Sequence, residues 1–244
     1  MRLLIILAYY MHYIALSILM LFALQASNCG RGNKPQRAQS ALISALQKDK
    51  PEKVSACLRQ DADPNTKDAN HHTPLHWACY LNRSSDLIKM LLDAGAEIDA
   101  KDKESNTPLH WACDWNTEGD IIITMLLDAG AKIDAKDGEG KTPLDRAWSP
   151  PNTPNTFAMK QLIQKAVDQN NLTIRGEDRK TLLHYAAALE DNKDKDKNKE
   201  SHKIVEQLLA LKLDPNAKDD NDCTPLDYAQ SSNVIVQLLL HSSN

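Results

Sequence analysis

The spacing of apolar residues divides this chain into two regimes. From Leu3 to Leu24 no residue is charged, and the run is 22 residues long. From Gln39 onward the apolar residues arrive in short bursts separated by polar stretches. Leu75, Ala78 and Cys79, like Leu109, Ala112 and Cys113, fall on one side of a short helix. "DLIKMLLDAG" and "DIIITMLLDAG" read as second helices, closed by Gly95 and Gly130 where a left-handed residue is favoured. "AEIDAKDKESN" is too polar for a core and reads as an extended finger. The predicted order is helix, helix, finger, and then the same again.

The words that make these elements recur. "TPLHWAC" begins at Thr73 and Thr107, "TPLDRAW" at Thr142, "TLLHYAA" at Thr181 and "TPLDYAQ" at Thr224. "LLDAGAEIDAKD" from Leu91, "LLDAGAKIDAKD" from Leu126 and "LLALKLDPNAKD" from Leu208 interleave with them, with a fainter "CLRQDADPNTKD" from Cys57. Thr73 and Thr107 are suited to cap a helix, and Pro74 and Pro108 behind them sit where a missing N–H costs nothing. Asp61, Gly95, Gly130 and Lys212 each precede the next Thr by 12 residues, so the finger length is constant. Thr-to-Thr spacings of 34, 35, 39 and 43 put the variation between the two helices of a unit.

This pattern resembles the ankyrin repeat, whose period is 33 residues and whose signature is T-P-L-H-x-A. The resemblance implies an all-α fold: an α-solenoid of helix-turn-helix pairs with β-hairpin-like fingers, about six units long. The expected units are 39–68, 69–102, 103–137, 138–176, 177–219 and 220–244, together forming a domain over 38–244. The first and last depart from the consensus, as terminal repeats covering an apolar end should. "SPPNTPNT" from Ser149 and "EDNKDKDKNKE" from Glu190 read as solvated loops. "AVDQNNLTIRGEDRK" predicts an irregular fourth finger.

Residues 1–37 lie outside this domain in every reading. A charged start, an apolar run and small residues after it describe a signal peptide, cut after Ala26. "ALQASNCG" resembles a bacterial lipoprotein signal that would place a lipid on Cys29, although Asn28 and Ala26 depart from that pattern. The run is also long enough to remain as a membrane anchor. The expected localisation is therefore secreted or membrane-associated, with membrane contact through the N-terminal segment or the Cys29 lipid.

Composition narrows the partners. A net charge of −4 leaves no basic footprint for nucleic acid. Five cysteines, an odd number with no CxxC pair, give no disulfide framework. His76 with Cys79 and His110 with Cys113 have metal-ligand chemistry, but Asp145 and Asp227 take the His place in other units, which favours a repeat-packing role. "GEGKT" at Gly138 lacks P-loop spacing. No catalytic residue, metal site or cofactor is expected.

Binding remains. The resemblance implies a concave face that grips a partner protein. Its finger positions here are Asn70, His72, Lys103, Glu104, Asn106, Glu139 and Lys141. Its first-helix positions are Tyr80, Leu81, Asp114 and Trp115. The expected function is a non-catalytic scaffold, with a host-directed role if the source is a host-associated bacterium. The alternative is a structural envelope protein with no specific ligand.

Overall fold

The computed structural model of the chain describes residues 41–46, 48, 50–81, 85–115, 120–148, 154–189, 195–229 and 233–242. The leader, with Cys29, lies outside them. Two compact units divide at Asp63 and Pro64. In the first, residues 41–46 are helical and α1 (Pro51–Leu58) follows, with Leu42, Ala45, Leu46 and Val54 buried.

The second unit is a run of helix pairs. α2 (Pro74–Tyr80) pairs with α3 (Ser85–Asp93), α4 (Pro108–Trp115) with α5 (Asp120–Asp128), and α6 (Pro143–Trp148) with α7 (Thr156–Asp168). α8 (Leu182–Ala187) then pairs with α9 (Lys195–Ala210), and α10 (Pro225–Tyr228) with α11 (Asn233–Ser242). α3, α5, α7, α9 and α11 pack in sequence as one row of second helices. In the other row α2, α4 and α6 pack together, as do α8 and α10. No strand forms among the described residues; an isolated antiparallel bridge joins Arg175 and Thr181.

Local chemistry sets these boundaries. Thr73 caps α2 by accepting the His76 N–H, and Pro74 takes the first helical position. Second helices end where the sequence pattern placed their turns. Gly95 and Gly130 have φ of 86° and 90°, while Asp61, Asn170 and Lys212 accept the same left-handed geometry. Around Gly95, Ala96 N–H donates to Leu91 O at 2.9 Å and Gly95 N–H to Leu92 O at 3.0 Å, which satisfies carbonyls the helix leaves open. The same pair of bonds recurs at Ala62, Ala131, Asn171 and Leu213.

The first helices are more deeply enclosed than a one-sided stripe predicts. Pro74 to Cys79 are all buried, because α2 meets α3 on one side and α4 on another. Burying each Leu of this seam is worth roughly 1.5–3 kcal/mol. That gain is available only when units stack, since a seven-residue helix is unstable alone.

One expectation needs correction. The charged run after Glu190 is helical from Lys195, where α9 begins. The second half of α9, with Ile204, Val205 and Leu208 buried, anchors it. Lys160 Nζ lies 3.3 Å from Glu200 Oε2, tying α7 to this extension. In the proline-rich run, Asn155 caps α7 by accepting the Ala158 N–H at 3.0 Å. Among the described residues, no helix is long and apolar enough to cross a membrane.

Candidate protein-binding surface

Four fingers are organised by an aspartate five residues before the capping Thr. Asp102 Oδ1 accepts the N–H of Glu104 at 2.9 Å and of Asn106 at 2.8 Å, while Oδ2 accepts Trp111 Nε1 at 3.1 Å. Asp68 does the same for Asn70, His72 and Trp77. Asp137 takes Glu139 and Lys141 with the Arg146 guanidinium, and Asp219 takes Asn221 and Cys223 with the Tyr228 hydroxyl. One carboxylate thus closes the finger and locks it to the first helix of its own unit.

The signature histidine joins one unit to the next. Thr73 N–H donates to His76 Nδ1 at 3.1 Å, so that nitrogen is an acceptor and the proton sits on Nε2. Nε2 then donates to the Asn106 carbonyl of the following finger, 3.1 Å away. His110 reaches Lys141 O and His184 reaches Cys223 O in the same way. Burial holds the His76 pKa down to about 4, against the pull of its bond to Asn106. The fingers also bond directly: Lys103 N–H to Asn70 O at 3.0 Å, Gly138 N–H to Glu104 O at 2.6 Å, and Asp220 N–H to Asp178 O at 2.8 Å.

The candidate residues divide into two groups on this frame. Lys103, Glu104 and Glu139 are exposed finger-tip side chains, and Tyr80 and Leu81 are half-buried at the end of α2. Asn70 is half-buried, its carbonyl taken by Lys103. His72 is wedged inward, with Nδ1 2.9 Å from Asp68 and its ring centroid 4.8 Å from Trp111. Asn106 is 6% exposed, with its side-chain amide on Asp102. Trp115 ends α4, and its side chain lies outside the described set.

Asp114 and Lys141 belong to a charged knot that sequence reading did not assemble. Arg146, on α6, reaches Asp137 at 2.9 Å through Nε, Asp114 at 3.8 Å and Glu139 at 3.7 Å. Lys141 Nζ lies 3.0 Å from Glu139 and 3.8 Å from Glu177. Burial pushes the Asp114 carboxyl up to about 7, beyond what Arg146 recovers.

The family model described as ankyrin repeats (3 copies) matches residues 4–102 and 84–155. The chain belongs to the ankyrin-repeat family. No curated protein matches it. Ankyrin stacks are in general scaffolds for protein–protein interaction and are typically not enzymes.

Within this ankyrin stack the HxxC pairs are built into the core. Both His76 ring nitrogens have partners, and burial pushes the Cys79 thiol well above its ordinary value. Among the described residues, no group of three or more His, Cys, Asp or Glu is placed to hold a metal ion. The finger aspartates were legible as the invariant "KD" ending each second word, although their hydrogen-bonding role was not.

Proposed function

We propose that this ankyrin stack is a non-catalytic scaffold that grips a partner protein along its finger tips and first-helix ends, and that its apolar leader exports or tethers it. One observation carries the reading. Backbone bonds from finger to finger fix Lys103 and Glu104 against the neighbouring tips, so outward side chains form a row held by the fold rather than by loops. A preordered row loses little entropy on binding. Tyr80 offers the aromatic anchor that such interfaces favour. In a host-associated bacterium the exported stack would act on host proteins.

The test is a pull-down with the full chain, followed by titration of the recovered partner. Tyr80→Ala combined with Trp115→Ala should abolish saturable binding while the variant keeps the parent's helical circular-dichroism signal at the assay temperature. Undiminished binding by the double variant would overturn the assignment of this face. Mass spectrometry of the mature N-terminus reads the leader separately: a lipid on Cys29, a new terminus at Ser27, or an intact Met1.

A further inference from the structure

Within the second compact unit the row of first helices is interrupted between α6 and α8. α2, α4 and α6 pack closely in sequence, and α8 packs closely on α10, but α6 and α8 stand apart. α8 packs instead on α7, the second helix of the preceding unit. The row of second helices runs past this point unbroken, through α5, α7, α9 and α11. The junction between the fourth and fifth units is therefore closed on one side only.

Residue size explains the gap. The seventh letter of the repeated word is small where first helices approach closely: Cys79, Cys113 and Ala187 are each no more than 2% exposed. In α6 the seventh letter is Trp148. The separation of two packed helices is set by the side chains between them, and an indole holds backbones apart where a thiol or methyl lets them close. The Trp148 ring stands edge-on to Tyr185 of α8 at 5.8 Å and to Tyr228 of α10 at 5.7 Å. Rings thus fill the space that interlocked helices fill elsewhere in the row.

The ties across the gap are also of a different kind. The neighbouring junctions have a backbone bond from finger to finger, Gly138 N–H to Glu104 O and Asp220 N–H to Asp178 O. Among the described residues, no backbone-to-backbone bond joins finger 137–141 to finger 176–180. Asp145 takes the Glu177 N–H and the Tyr185 hydroxyl, and Lys141 Nζ lies 3.8 Å from Glu177. Each of these ties runs through a side chain with rotatable bonds. Ridges packed into grooves fix a crossing angle, whereas edge-on rings are favourable over centroid separations of about 4.5–7 Å. The contacts that remain on the finger side therefore tolerate rotation.

We infer that this junction is a hinge. In a linear stack each unit touches only its neighbours, so one looser junction frees everything beyond it as a single body. The helix pairs from α2 to α7 turn against those from α8 to α11 about the α7–α9 contact, and the opening falls on the finger side. The finger row is then two rigid stretches, 68–141 and 176–223, whose mutual angle a bound molecule sets. The hinge belongs to the free chain and stands or falls independently of the scaffold reading.

The repeat supplies its own control. Lys67, Lys136 and Lys218 are exposed and sit at the same place in their fingers, one residue before Asp68, Asp137 and Asp219. Two junctions separate the first pair and two the second, but only the span from Lys136 to Lys218 contains the gap between α6 and α8. The full chain, with Cys29, Cys57 and Cys223 changed to Ser, takes nitroxide labels at Lys67→Cys with Lys136→Cys, or at Lys136→Cys with Lys218→Cys. Cys79 and Cys113 are buried and escape labelling. Double electron–electron resonance should give a distance distribution at least about twice as wide across the second span as across the first. Trp148→Ala, which gives α6 the residue α8 has at that place, should shift the second distribution by about 2 Å or more and leave the first unmoved. Equal widths in the two spans overturn the hinge. A second distribution that ignores Trp148→Ala removes Trp148 as its cause. Each labelled protein is checked for the parent's helical circular-dichroism signal, and if Trp148→Ala loses it, the two distributions without that change decide the matter.

Discussion

At the residue scale the finger aspartate does the most with the least. A carboxylate accepts several hydrogen bonds at once, and Asp102 uses that capacity for two backbone N–H groups and an indole. Replacing it leaves those donors without a partner in a buried place, each costing about 1–3 kcal/mol where water does not reach. Asp102→Ala should therefore lower unfolding free energy by about 2–4 kcal/mol in urea titration. A loss below 0.5 kcal/mol would mean that water or Glu104 substitutes for the carboxylate. The sequence showed the Asp at a constant place, but a polar residue in a polar stretch gave no sign of burial.

Among the elements, the junction between the fourth and fifth units departs from the pattern the other junctions keep. Asp145 replaces the signature histidine and Gly176 replaces the finger aspartate. Asp145 accepts Thr142 N–H at 2.7 Å through one oxygen, and Glu177 N–H at 2.9 Å with the Tyr185 hydroxyl through the other. Glu177 N–H thus bonds a side chain where the other junctions have a finger-to-finger backbone bond. Any Cβ on Gly176 would collide with the Tyr185 hydroxyl and lie 2.5 Å from Asp145 Oδ1. The three residues form one substitution in physical terms. Gly176→Asp and Asp145→His should each destabilise the stack by about 2 kcal/mol or more. Together they should recover at least half, with a coupling of about 1–3 kcal/mol in a double-mutant cycle. Strict additivity would refute the linkage. The irregularity was expected from "AVDQNNLTIRGEDRK", but its cause lay in Asp145, more than twenty residues earlier.

For the whole molecule, the inter-unit histidines make stability depend on pH. His76, His110 and His184 all have pKa values lowered first by burial. Their folded values lie below the unfolded value near 6.5, so their contribution is complete above that pH and is lost as pH falls below it. His76 alone, with a folded value of about 4, gives up on the order of 2 kcal/mol by pH 5. Asp114 runs the other way. Its raised pKa favours the folded state below about 4, and that advantage fades as pH rises through 7. Asp114→Asn removes the opposing effect, so the variant should lose stability more steeply than the parent between pH 7 and 5. Parallel urea midpoints for the two proteins across that range would contradict these assignments.

Caps, left-handed turns and the period are decided within about a dozen neighbouring residues. The order of amino acids alone therefore placed the capping Thr residues, the turns at Asp61, Gly95, Gly130 and Lys212, and the stacking of the units, but it missed that α9 begins in the charged run at Lys195. It also determined which letters vary between copies. Packing decided what those letters do. His76 meets its acceptor 30 residues away, and Asp145 meets Tyr185 at 40. Whether a polar residue ends up buried as a structural bond or exposed on a finger tip depends on that distant partner. Asn106 and Glu104 are two residues apart and equally polar, yet the stack encloses one and presents the other to solvent.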